Sequence, residues 1–148
     1  MPAEMSQFSR DAWHELAGVV AAINSSLEPE RVLDAIAQSA ARIMNAEASS
    51  VLTLDRRREK LVFSAAAGPT GAELMGQEFD AKLGIAGRAV SRRTVEVVRD
   101  VARDPQFFAG FDEKSTFVTR ELLAAPMVFR DEVVGVVEVI NRRNGSFN

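Results

Sequence analysis

Cysteine is absent from this chain, and that absence removes disulfides, thiolate metal sites, cysteine nucleophiles and thioether-linked chromophores together. Such a composition suits a reducing cytoplasm, which is the expected location. Histidine occurs once, as His14, so a triad or metal site built on histidine would need that residue in a pocket far along the chain. No apolar run approaches the roughly 18 residues of a membrane span. The polar opening from Met1 to Phe8 lacks the basic-then-apolar pattern of a secretion signal. Positive charge is also scarce: 18 Lys and Arg against 21 Asp and Glu leave a net charge of -3. No basic field therefore exists to attract phosphate backbones or acidic membranes, and neither nucleic acid nor membrane is expected as a partner.

What is present is ordinary globular composition, 47% apolar and 26% charged, in a length that suits one domain. Trp13, Leu16, Val20, Ile23 and Leu27 recur at three- and four-residue steps, the spacing of one helical face, and predict an amphipathic helix from Ser9 to Leu27. His14 reads as a solvated residue of that helix. Pro29 suits a first helical turn, and Val32, Leu33, Ile36, Ala40 and Ile43 resume the period to about Asn45. Ser49 to Leu54 and Lys60 to Ala67 flank the charged insert 55–59 and predict a β-hairpin. Gly68 to Gly76 reads as a loop too flexible for regular structure, followed by a short extended piece at Glu78 to Asp80. Gly84 to Val90 predicts a tight entry into a short helix, and Val95 to Val98 a brief strand. Asp100 to Thr119 is a long loop with one possible helical turn, and loops of that length inside compact domains are usually functional. Glu121 to Phe129 and Val133 to Ile140 close the chain as a second hairpin. The expected class is α+β, an antiparallel sheet of about six strands with helices packed against it.

Chemistry-bearing patterns are few. Carboxylates scatter without paired spacing, and no Gly-x-x-x-x-Gly-Lys-Ser/Thr or Gly-x-Gly-x-x-Gly cradle occurs, so kinase and dehydrogenase chemistry is unsupported. No catalytic or metal-binding residue is expected. Gly84-Ile85-Ala86-Gly87 fits either an anion-binding helix start or a close packing corner. Phe107, Phe108, Phe111 and Phe117 in the long loop could stack on a planar ligand or cap the sheet, capping being the preferred reading for Phe107 and Phe117; Asp112, Ser115 and Thr119 could bond a guest or form turns.

Gly84 to Gly87, Asp100 to Phe108, Phe117 to Met127 and Val133 to Arg142, in that order, resemble the GAF family from about Leu27 onward, most closely the GAF domains of cyclic-nucleotide phosphodiesterases and adenylyl cyclases. The resemblance implies a GAF-like six-stranded antiparallel sheet flanked by helices, with a ligand cavity on one face. It implies 27–148 as a sensory domain and 1–26 as an amphipathic dimer or connector helix. By matching positions, Ile85 and Ala86 fall on backbone that meets a cyclic phosphate, and Phe108 on an aromatic beside it. Asp112, Ser115 and Thr119 fall on polar contacts, Ser50 and Glu138 on further pocket positions. Ala66 and Ala67 lie with Ala65 where relatives place a Phe-Asp pair. Asn141 and Arg142 resemble the start of an Asn-Lys-x-Phe-Asp/Glu signature. The chain ends before a final helix usual in the family, which implies a piece of a longer protein. The implied function is allosteric regulation in signal transduction: a small-molecule effector, cAMP or cGMP first, controls an attached output domain, with a homodimer formed through helices. The alternative is a ligand-free dimerisation or interaction module. The fold is shared with methionine sulfoxide reductases, whose chemistry needs cysteine, and no enzymatic activity is expected.

Overall fold

The computed structural model describes residues 29–69, 71–107 and 119–143. The predicted helix from Ser9 to Leu27 and the loop residues Phe108, Phe111, Asp112, Ser115 and Phe117 lie outside that set. Helix α1 spans Pro29–Ile43 and buries Leu33, Ile36, Ala37 and Ala40, the i, i+3, i+4, i+7 stripe that its sequence spacing demands. Pro29 opens it where no amide partner is needed, and Glu30 and Arg42 sit at the ends that suit their charges. Asn45, at φ 52°, turns the chain out of the helix in the left-handed region that asparagine tolerates.

Six strands follow: β1 Ala46–Asp55, β2 Lys60–Ala67, β3 Glu78–Asp80, β4 Glu96–Val98, β5 Leu122–Phe129 and β6 Glu132–Arg142. They form one sheet in the order β3-β2-β1-β6-β5-β4, with every neighbouring pair antiparallel. The last hairpin turns through Arg130 and Asp131, both at positive φ, the two-residue geometry whose twist matches the strands. Between β2 and β3 lies a four-residue helix α2, Gly71–Leu74, where local composition predicts an irregular loop. The cause is tertiary. The Phe63 carbonyl accepts from the Gly76 amide at 2.9 Å and the Phe63 amide donates to the Gln77 carbonyl at 2.9 Å, so β2 straps down the returning chain and overrides glycine's local freedom.

The sheet is covered on both faces, which is why β5 and β6 read as nearly continuous apolar runs. On one face α1 packs over Val51, Ala65, Ala67, Leu123, Ala125, Val137 and Val139, and the Ser49 hydroxyl donates to the Ala37 carbonyl of α1. On the other, helix α3, Gly84–Arg92, lays Ile85, Ala86 and Ala89 against Leu52, Phe63, Ala124 and Val136. Gly87 is a packing corner: a Cβ there would lie 2.4 Å from the Lys82 carbonyl carbon, so the chain's own backbone fills the space that the missing side chain leaves.

Two polar clamps hold the base of the segment that runs from Asp100 to Thr119. A three-residue 3-10 turn, Val101–Arg103, starts it, and the Val101 amide donates to the Arg120 carbonyl at 3.0 Å, which draws its two ends together. Asn141, fully buried, accepts from the Arg120 and Glu121 amides at 2.7 and 3.1 Å and donates to Glu47 at 3.2 Å. Arg120 pairs with Glu47 at 2.9 Å, and its hydrogen bond holds the Glu47 carboxyl below the usual range.

Asn141→Ala is expected to lower stability by about 3 kcal/mol in urea unfolding, because it strands two amides and puts alanine in a left-handed conformation. Gly87→Ala is expected to cost about 2 kcal/mol or more through overpacking against rigid backbone.

Candidate functional site

Strand register assembles a continuous row across the sheet. Glu138 of β6 stands opposite Ser50 of β1 and Ala124 of β5; Ser50 stands opposite Ala66 of β2, and Ala124 opposite Glu96 of β4. Directly paired residues project to the same side, and here that side is the one under α3, since Val137 and Val139, the chain neighbours of Glu138, pack on the α1 face. The flanking rows are apolar: Leu52 and Val136 pair on one side, Leu122 and Ile140 on the other.

Glu138 is therefore a carboxyl set among methyl groups. It is 9% exposed, and burial pushes its pKa from an ordinary value of 4.5 up to about 7, because a charge removed from water disfavours ionisation. No hydrogen bond or ion pair reaches it among the described residues. Its neighbours in the row, Ala66, Ser50 and Ala124, are small, so the carboxyl is the longest side chain of the row's centre.

Helix α3 supplies the roof. Its N-cap, Leu83, makes no side-chain capping bond, and the Gly87 amide is the first to bond back within the helix, to Leu83 at 3.0 Å. The amides of Gly84, Ile85 and Ala86 are thus first-turn donors of the kind that favour anions. Gly84 opens the helix at φ 72°, a conformation that favours glycine. At the far side of α3, Arg88 reaches Glu96 at 2.8 Å, Asp104 at 2.9 Å and Gln106 at 2.9 Å. This mostly buried cluster joins α3, β4 and the start of the long segment.

Of the residues expected at the site, the structure brings Ser50, Ala66, Ile85, Ala86 and Glu138 to the α3 face. Ala67 turns to the opposite face and packs with α1, as strand alternation requires of the neighbour of Ala66. Thr119 lies half-buried just before β5. Phe108, Asp112 and Ser115 are outside the described residues, whereas Phe107 packs partly buried against the apolar cluster under α3. Sequence reading missed Ala124, Arg88 and Glu96. Pairing of β5 with β6 would have placed Ala124, whereas nothing in the sequence links Arg88 with Glu96 and Asp104 until α3 folds over β4. No group of three or more His, Cys, Asp or Glu able to hold a metal occurs among the described residues, and none of their helices is long and apolar enough to cross a membrane.

Comparison with known proteins is consistent with this geometry. The Caenorhabditis elegans protein named "Probable 3',5'-cyclic phosphodiesterase pde-5" is 24% identical over 127 residues, which covers 80% of this chain and 17% of that protein. The chain thus spans under a fifth of the relative's length. The GAF domain of an Acinetobacter phosphoenolpyruvate-protein phosphotransferase superposes with a TM-score of 0.72 at 23% identity, covering 97% of this chain and 83% of that one. A free methionine-R-sulfoxide reductase from Neisseria meningitidis, solved with its substrate, superposes with a TM-score of 0.69 at 19% identity, covering 90% of this chain and 74% of that one. At these identities the two structures establish a shared fold. The family model for the GAF domain matches residues 26–148, and the chain belongs to the GAF domain family.

Proposed function

We propose that this GAF domain is a non-enzymatic regulatory module, cytoplasmic, in which a small molecule binds between α3 and the sheet and biases an attached output domain. A cyclic nucleotide is the first ligand to test. The observation that carries the reading is Glu138. A sheet built only for packing would place an apolar residue in that row, because a partnerless buried carboxyl opposes folding once it ionises. Groups held in such unfavourable states concentrate at functional sites. The first-turn amides of α3 add a place for an anionic group, and the similarity to a cyclic-nucleotide phosphodiesterase supports the choice of cAMP and cGMP as first ligands.

Regulation then follows from linkage. A ligand moves the output only by binding two states unequally, and Arg88 is placed to join the roof helix to the start of the long segment. The amphipathic stretch from Ser9 to Leu27, a helix by its sequence spacing alone, is the proposed route to a homodimer. Ala65 and Ala67 face α1, which leaves Ala66 as the one of these three alanines on the proposed ligand face.

Titration calorimetry with cAMP and cGMP is expected to show binding, and Thr119→Ala to weaken it by about 1 to 3 kcal/mol; silence from both nucleotides removes that ligand class. Glu138 also makes a stability prediction. A carboxyl whose folded pKa is raised favours the fold when protonated, so its contribution is full below about 4.5 and is lost as pH rises toward about 7. Glu138→Gln should therefore be more stable than the parent by about 3 kcal/mol at pH 8, with the difference shrinking toward zero near pH 4. Urea unfolding at the two pH values measures it, and an equal difference at both would contradict the assignment.

A further inference from the structure

We propose that the guest of the α3 face carries an ammonium, amidine-type or guanidinium N–H donor group that docks on the carboxylate of Glu138. The inference rests on the reading of that face as a ligand site and stands as the alternative to a cyclic nucleotide, which is an anion and carries no cationic group. Once ionised, a carboxylate has only acceptor capacity, about four lone-pair directions on two oxygens. The chain offers it little. Across β1 stands one hydroxyl, Ser50; across β5 stands Ala124; along β6 the same face continues with Val136 and Ile140, and α3 brings Ile85, Ala86 and Ala89.

The cations of helix α3 are already committed. Of the charged groups on the elements packed over this face, Arg88 of α3 is bonded to Glu96, Asp104 and Gln106, and Arg92 to Glu96. Glu96 of β4, in the same row beyond Ala124, is held by those two arginines and brings no countercharge. Arg142, four residues along Glu138's own strand, makes no ion pair with Glu138 among the described residues; thus no described cation is paired with Glu138, and the site is left with a net demand for donors.

Guest chemistry follows from that demand. An anion placed against Glu138 would meet repulsion in a weakly screening interior. A purely apolar group would seal the carboxyl from water without replacing its hydrogen bonds. A cationic N–H donor repairs both faults, and planar amidine-type groups can meet both oxygens at once. Docking also requires the carboxyl to be ionised. With a pKa of about 7 about half of the carboxyls hold a proton at neutral pH, so affinity should climb as the pH is raised.

Three probes of one size and shape separate the possibilities: benzamidine, a cation; benzamide, neutral; and benzoate, an anion. Each is titrated into the 148-residue chain at pH 8 while the amide resonances of Ser50, Ile85, Ala124 and Glu138 are followed by two-dimensional NMR. Benzamidine is expected to move these signals with a dissociation constant about tenfold or more below that of benzamide, and benzoate to be weakest. The cation's advantage should vanish in Glu138→Gln, which removes a buried charge and is expected to stay folded. In the unaltered chain its affinity should fall by about thirtyfold between pH 8 and pH 5.5, the ratio of ionised fractions for a pKa of about 7. Benzoate or benzamide binding as well as benzamidine at these residues, or a preference that survives Glu138→Gln, overturns the donor inference while leaving the ligand site standing. Silence from all three probes overturns the ligand site and the inference together.

Discussion

One mostly buried carboxyl, without a countercharge among the described residues, is the constraint around which the α3 face of the sheet is organised. The antiparallel sheet is buried on both sides, and a sheet so covered has no wet face on which an acidic side chain could rest. The α1 side accommodates this with a mostly apolar set that includes Val51, Leu123, Val137 and Val139, and with Ser49, which bonds a helix carbonyl. The α3 side instead holds Glu138 between Ser50 and Ala124. Folding to this state gives up part of the stability that an apolar residue would have supplied, and the natural account of that sacrifice is a partner that comes from outside.

Polar anchoring holds the two ends of the segment between Asp100 and Thr119. Asn141 uses its acceptor on two backbone amides and its donor on Glu47, fixing the point where the chain re-enters the sheet at β5. Arg88 fixes the other end of the long segment by gathering Glu96, Asp104 and Gln106. The contrast is chemical: Arg88, Arg120 and Glu47 are paired within the chain, whereas the acid under α3 has no ion pair among the described residues. A guest that satisfies Glu138 would also touch α3, and α3 carries Arg88, so occupancy and the geometry of the segment's base share one element.

Much of the fold was legible because its elements are long and periodic. The stripe of Leu33, Ile36 and Ala40 and the apolar runs of β1, β2, β5 and β6 placed those elements to within a few residues. Helix α2 was not legible, since its cause is a pair of backbone bonds to Phe63 rather than anything in its own composition. Ala66 and Ala67 share a site only by resemblance to relatives that carry a Phe-Asp pair there, whereas a two-residue period puts them on opposite faces. The lone acid in the run from Val133 to Ile140 was a visible signal, but its lateral partners needed the register of three strands. The Arg88 cluster needed tertiary structure entirely, because its members lie on a helix, a strand and a loop.

The account stands on the ionisation of Glu138, and that can be read directly. Carbon-13 NMR of the glutamate side-chain carboxyls, with Glu138 assigned by its loss in Glu138→Gln, should show in the ligand-free chain one resonance whose titration midpoint is about 7. A midpoint near the ordinary 4.5 would mean that the carboxyl is solvated or paired within the chain, and would contradict the account.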